Sequence, residues 1–96
     1  IIFTLIIIYM TTYKQKFNKK YGFKTNESHS IKEIAKLSGI KYRNALKIVQ
    51  KGKGAYFSNP QSVRKSVKSP TQWGIARLYS AVMGGKASTV DKDLLN

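Results

Sequence analysis

SIKEIAKLSGIKYRNALKIVQ, residues 30–50, reads as two helices joined by a glycine turn. Ser30 followed by Glu33 has the S-x-x-E form of a capping box, in which hydroxyl and carboxylate each satisfy an orphan backbone N–H. Ile31, Ile34, Ala35 and Leu37 line one face of the first helix. Gly39 suits the left-handed position that ends a helix. Lys41 to Val49 resume helical spacing through Ala45, Ile48 and Val49, and Lys51-Gly52-Lys53-Gly54 is expected to stop this second helix. A helix-turn-helix pair demands a small residue where the helices cross, glycine in the turn, and apolar residues beside it and along the inner face of the second helix. Ala35, Gly39, Ile40, Ala45 and Ile48 meet those demands, with Ile34 beside them.

Toward the N-terminus, residues 11–28 are basic and polar, and residues 10–29 are read as a basic arm or helix. Tyr13, Phe17 and Tyr21 recur at i, i+4, i+8, the mark of a short amphipathic helix, and Gly22 breaks the pattern. His29 is expected at the surface or in a capping role. Residues 1–10, IIFTLIIIYM, are almost wholly apolar. Ten residues are too few to span a bilayer as a helix, which needs roughly 20. Met10 is read as the start of translation, with residues 1–9 as upstream sequence or a fragment's edge. A buried strand and a membrane anchor are the alternatives.

Toward the C-terminus, residues 52–68 read as an irregular loop. Tyr56 and Phe57 are expected beneath the helix that follows, with stacking on bases as the alternative. Ser69 at the N-cap and Pro70 at the first helical position open the clearest helix of the chain. Trp73, Ile75, Ala76, Leu78, Tyr79, Val82 and Met83 give it a broad apolar surface, and Gly84-Gly85 closes it. Trp73 and Arg77, four apart, either pair by a cation–π contact or divide, with Trp73 in the core and Arg77 outward. Asp91 is expected to cap a last short turn through Asp93, Leu94 and Leu95.

Charge bounds the function. Eighteen Lys+Arg against four Asp+Glu give a net charge of +14, with a pI of about 10.2. Such an excess repels itself unless a polyanion or salt screens it. Nucleic acid is the commonest partner of this kind, and an anionic membrane surface comes second. Fifteen of the cations are Lys and three are Arg, a balance that favours phosphate contact over base reading. Cysteine is absent, so disulfides and cysteine-metal sites are excluded. No nucleophile–base pair and no acidic cluster stands out, so no enzyme activity, metal, cofactor or small-molecule substrate is expected.

Two resemblances add to this reading. Residues 31–50 are similar to the helix-turn-helix of LacI-type repressors and related bacterial regulators, most clearly in Ile34-Ala35 and Ser38-Gly39-Ile40. The likeness covers about a fifth of the chain, and the large effector domain of those repressors has no counterpart here. It implies that the second helix begins near Lys41 and that Lys41, Tyr42, Arg43 and Asn44, with Lys47 one turn on, face the major groove. A solvated helix start is the alternative. The block Gly54-Ala55-Tyr56-Phe57-Ser58-Asn59-Pro60-Gln61-Ser62-Val63-Arg64, continued in Ser69-Pro70-Thr71-Gln72-Trp73, Ala76-Arg77 and Tyr79 to Ala87, resembles small proteins of large double-stranded DNA viruses of algae and protists and of some phages. That resemblance implies a viral source, and a place inside the infected cell or in the virion. It carries no known activity.

These readings define an all-α fold, a small bundle of four to five short helices containing a helix-turn-helix-like pair, with residues 30–96 as one domain. The expected function is binding of nucleic acid, double-stranded DNA foremost. The residues expected to carry it are Lys41, Tyr42, Arg43, Asn44 and Lys47 of the helix pair and Lys51, Lys53, Arg64, Lys65 and Lys68 of the basic loop. Arg43 is suited to guanine and Asn44 to adenine through paired hydrogen bonds. A virion structural or packaging protein, binding DNA or other virion proteins, and an RNA-binding module are the rival readings.

Overall fold

Local chemistry sets most helix starts. In the computed structural model, which describes residues 12–63 and 65–95, Thr12 opens the helix α1 (Tyr13–Tyr21) with a full capping box. Its hydroxyl accepts from the Gln15 N–H and the Gln15 side chain accepts from the Thr12 N–H. Gly22, at φ 77°, closes α1 in the left-handed region. Ser30 caps α2 (Ile31–Ser38) by accepting from the Glu33 N–H at 3.1 Å. The Glu33 carboxylate departs from the expected capping box: it bonds the His29 ring. Gly39, at φ 79°, ends α2 as the sequence implies. Ser69 accepts from the Gln72 N–H at 3.1 Å, and Pro70 is the first residue of α4 (Pro70–Val82).

Between them runs α3 (Tyr42–Ser58), longer than the sequence suggests. It passes through Lys51-Gly52-Lys53-Gly54, which was expected to stop it. The reason is tertiary. A Cβ on Gly52 would lie 2.5 Å from the Gly74 Cα, and one on Gly74 would lie 2.5 Å from the Val49 carbonyl oxygen. The missing side chains let α3 and α4 touch backbone to backbone, and that contact outweighs the weak helix propensity of glycine. The irregular connection therefore shrinks to residues 59–69, with one 3-10 turn at Pro60–Ser62. A short helix, α5 (Lys86–Val90), and a 3-10 turn at Lys92–Leu94 complete the described chain. Five α-helices and no strand are present among the described residues, which bears out the small all-α bundle.

The core forms where α2 packs on α3, α3 on α4, and α1 and α5 on α4. Phe17, Ile34, Ala45, Ile48 and Leu78 are fully buried. Each large member contributes about 1.5–3 kcal/mol by leaving water. The α3–α4 pair is the most extensively packed; Ala45, Ile48, Val49 and Gly52 are the buried residues of α3, and Gly74, Leu78, Tyr79 and Ala81 those of α4. Phe17 joins α1 to this pair by an edge-on contact with Tyr79, centroids 5.2 Å apart. Burial pushes the Tyr79 phenol up to about 12, the Glu33 carboxylate adding and the His29 backbone opposing. The Tyr79 hydroxyl nevertheless makes no hydrogen bond of normal geometry among the described residues.

Two buried polar groups organise what the apolar core leaves open. Asn18 on α1 donates through Nδ2 to the Thr25 carbonyl at 2.9 Å and the Glu27 carbonyl at 3.0 Å, holding the α1–α2 connection. With both amide hydrogens used, its Oδ1 faces His29 Nε2 at 2.6 Å. His29 is thus buried rather than at the surface: its ring lies between acceptors on Asn18 and Glu33, against Phe17 and Phe23. Asp91 plays the same part for the C-terminal segment. It does not cap the last turn with its side chain. Its fully buried carboxylate accepts two bonds from Arg77, from Nε at 2.8 Å and the second guanidinium nitrogen at 2.9 Å, and one from Lys51 Nζ at 3.2 Å. Arg77 is therefore neither stacked on Trp73 nor turned outward. Phe57 also departs from expectation: it is 72% exposed and packs edge-on with Tyr56. The expectations for residues 1–9 lie outside the described residues. Among the described residues, no helix is long and apolar enough to cross a membrane.

Candidate nucleic-acid interface

The geometry of α3 separates its two faces. Taking Arg43 as reference and 100° per residue, Ala45, Ile48, Val49 and Gly52 fall on the opposite side, and all four are buried. Arg43, Lys47 and Lys51 form an i, i+4, i+8 row on the outer side, all exposed. The row spans roughly 12 Å at 1.5 Å per residue. Lys41 stands at the N-cap without a side-chain cap bond, and the first turn carries no acid. Cationic side chains and the positive end of the helix dipole therefore coincide there. Tyr42 is 48% exposed beside them. Asn44 is half-buried, and its backbone N–H bonds the Lys41 carbonyl.

The other sequence-selected residues separate into two groups. Lys51 and Lys53 lie on the second half of α3, not on a loop, since the helix continues through them. Lys51 is half-exposed but already holds Asp91. Lys65 and Lys68 are exposed in the connection to α4, where Lys68 Nζ donates to the Lys65 carbonyl at 3.3 Å. Arg64 lies outside the described residues. So Lys41, Tyr42, Arg43 and Lys47 come together on one short surface, while Lys53, Lys65 and Lys68 lie farther along the chain.

Acidic residues scarcely offset this charge. The four are Glu27, Glu33, Asp91 and Asp93. Burial pushes the Asp91 carboxyl up, but the hydrogen bonds and charges of Arg77 and Lys51 outweigh it and hold the group below the usual carboxylate range. The same hydrogen bond raises the Arg77 guanidinium above its ordinary value. Among the described residues, Lys51 and Arg77 are the Lys and Arg side chains paired to a carboxylate. No group of three His, Cys, Asp or Glu among the described residues is placed to hold a metal ion.

The family model that matches residues 6–95 is that of a family of unknown function, DUF5824. The chain belongs to this family. No curated protein and no solved structure matches it. Nearly the whole described fold, from α1 to the last 3-10 turn, thus falls within the family's extent.

Sequence reasoning missed one feature of this family member. The described residues enclose a groove of about 1360 Å3 between the start of α1, the outer side of α4, α5 and the 59–69 connection. Trp73, Ile75, Ala76 and Val67 contribute apolar surface to it, and Lys14, Lys16 and Lys86 contribute cations. None of the nine described residues selected from the sequence lines it. Its walls come from four separate stretches of chain, so no local motif announces it.

Proposed function

We propose that the protein binds nucleic acid, principally duplex DNA, through the outer face of α3. The observation that carries this reading is the division of α3 itself. The Arg43–Lys47 side is exposed and cationic, with no acid in the first turn of the helix and Asp93 near Lys47, and it lies directly opposite the buried Ala45, Ile48, Val49 and Gly52. A rigid helix presented this way fits a major groove about 12 Å wide. Lys41 and Lys47 supply phosphate contacts that position the helix, and Arg43 supplies guanine contact. The half-burial of Asn44 leaves it a smaller part in base reading than Arg43. The likeness of residues 31–50 to LacI-type helix-turn-helix segments supports the same arrangement.

The scarcity of Arg and the spread of Lys favour affinity over sequence discrimination. The resemblance of the 54–87 block to viral proteins supports a role in an infected cell or in the particle, where the same surface would neutralise packaged DNA. The test is duplex binding measured across salt concentrations. Log affinity should fall linearly with log salt, by about 0.9 per phosphate neutralised. Arg43→Ala should relax base preference by about 1–3 kcal/mol at one position, more than it lowers overall affinity. A flat salt response, or an equal loss on every sequence, would overturn the reading.

A further inference from the structure

We propose that the groove between α1, α4 and α5 binds an unpaired nucleic-acid strand, with a base on Trp73 and phosphates on Lys16 and Lys86. This site is separate from the cationic outer face of α3 and rests on different residues.

Three observations carry it. The first is charge: the groove is lined by Lys14, Lys16, Arg77 and Lys86, and by no Asp or Glu. Arg77 is committed to the Asp91 carboxylate, whereas Lys14 and Lys16 are held in place without carboxylates. Lys14 Nζ donates to the Ser28 hydroxyl at 3.0 Å, and Lys16 Nζ sits 5.0 Å from the centre of the Tyr13 ring. Tyr13 is in turn seated on Gly85, where a Cβ would lie 2.4 Å from the Tyr13 Cζ. The second is the flat apolar surface of half-buried Trp73, flanked by Ile75 and Ala76. Hydroxyl and amide side chains surround it, among them Gln15, Ser66 and Thr71. The third is size. About 1360 Å3 exceeds the roughly 300–1,000 Å3 typical of small-molecule pockets.

A ligand suited to all three carries anionic charge along its length and flat aromatic faces between the charges. An acidic peptide has the first without the second. Duplex DNA has both, but its bases are stacked inside and unavailable to Trp73. An unpaired strand offers both at once, and stacking tolerates any base because every base has a π-face.

Trp73 is the single tryptophan of the chain, so its fluorescence reports the groove. The full chain is titrated with a single-stranded deoxythymidylate oligomer, its ribonucleotide counterpart, a duplex of the same length and a polyglutamate peptide. Both single strands should quench Trp73, and the duplex and the peptide should not. Exchanging Lys16→Gln together with Lys86→Gln removes two exposed cations outside the core. It should lower the salt slope for the single strand by about 1.4, at roughly 0.7 per phosphate, and leave the duplex slope unchanged. Trp73→Ala should weaken strand binding roughly 5- to 150-fold, followed by anisotropy of a labelled oligomer. Quenching by duplex or peptide as strong as by the strand, or an unchanged slope in the lysine double variant, would overturn the proposal. The lysine pair keeps the test decisive if Trp73→Ala fails to fold. Loss of duplex binding alone would count against the α3 reading and leave the groove proposal standing.

Discussion

Two glycines two residues apart on α3 should respond oppositely to the same substitution. Gly52→Ala places a methyl group 2.5 Å from the Gly74 Cα and 3.2 Å from its nitrogen. Both atoms are backbone, so no side-chain rotation relieves the clash and the helices must move apart. Overpacking of this kind costs about 1–3 kcal/mol. Alanine recovers up to about 1 kcal/mol of helix propensity, which leaves a net loss of roughly 0–3 kcal/mol. At about 4–8 °C per kcal/mol for a domain near this size, Tm should fall by up to roughly 24 °C. Gly54→Ala meets nothing within 4 Å and lies in the same helix. It should gain about 0.5–1 kcal/mol, because glycine loses more backbone freedom on folding. Thermal unfolding followed by circular dichroism measures both. A Gly52→Ala protein as stable as the Gly54→Ala protein would refute the backbone-to-backbone account of the α3–α4 crossing, and with it the reason given for α3 passing through residues 51–54.

Other outcomes follow from the buried polar groups. Asn18→Ala removes three hydrogen bonds, to Thr25, Glu27 and His29; at about 0.5–1.5 kcal/mol each, the urea midpoint should correspond to a loss of roughly 2–4 kcal/mol. Amide exchange in residues 23–29 should accelerate at the same time. Asp91 has a folded pKa below its unfolded value, so its contribution is present above about pH 4 and is lost as pH falls through the folded pKa. Asp91→Asn should flatten that acid-side loss in a series of melting curves. At neutral pH it should cost about 2–3 kcal/mol, below the 3–5 of a wholly buried pair, because the Lys51 side chain remains 47% exposed. A melting profile unchanged below pH 4 would count against the Asp91 cluster as the clamp of the C-terminal segment.

What could be read from the sequence was what short-range chemistry decides. Ser30, Gly39 and Ser69-Pro70 mark helix ends through bonds to residues three or four positions away, so their patterns suffice. The i, i+4, i+8 row of Tyr13, Phe17 and Tyr21 likewise announces α1, although only Phe17 is fully buried. Lys51-Gly52-Lys53-Gly54 was misread because the same glycines that stop helices also permit close helix contact, and the deciding partner, Gly74, is 22 residues on. His29 and Asp91 were misassigned for a related reason: each is fixed by residues remote in sequence, Asn18 in one case and Arg77 and Lys51 in the other. The outer face of α3 was legible through the likeness of residues 31–50 to LacI-type segments, which implies that Arg43 and Lys47 face outward, with a solvated helix start as the alternative. The groove was not, since Lys16, Trp73 and Lys86 meet only through the packing of α1 and α5 on α4.

The central claim is that the cationic outer face of α3 contacts duplex phosphates. The most direct test compares the salt slope of duplex binding for the parent protein with that of a double variant, Lys41→Gln with Lys47→Gln. Both side chains are exposed and outside the buried face of α3, and Lys41 makes no side-chain cap bond, so the fold should persist. If each neutralises one phosphate, the slope should become shallower by about 1.8, at roughly 0.9 per phosphate. A double variant with the parent's slope and affinity would contradict the account.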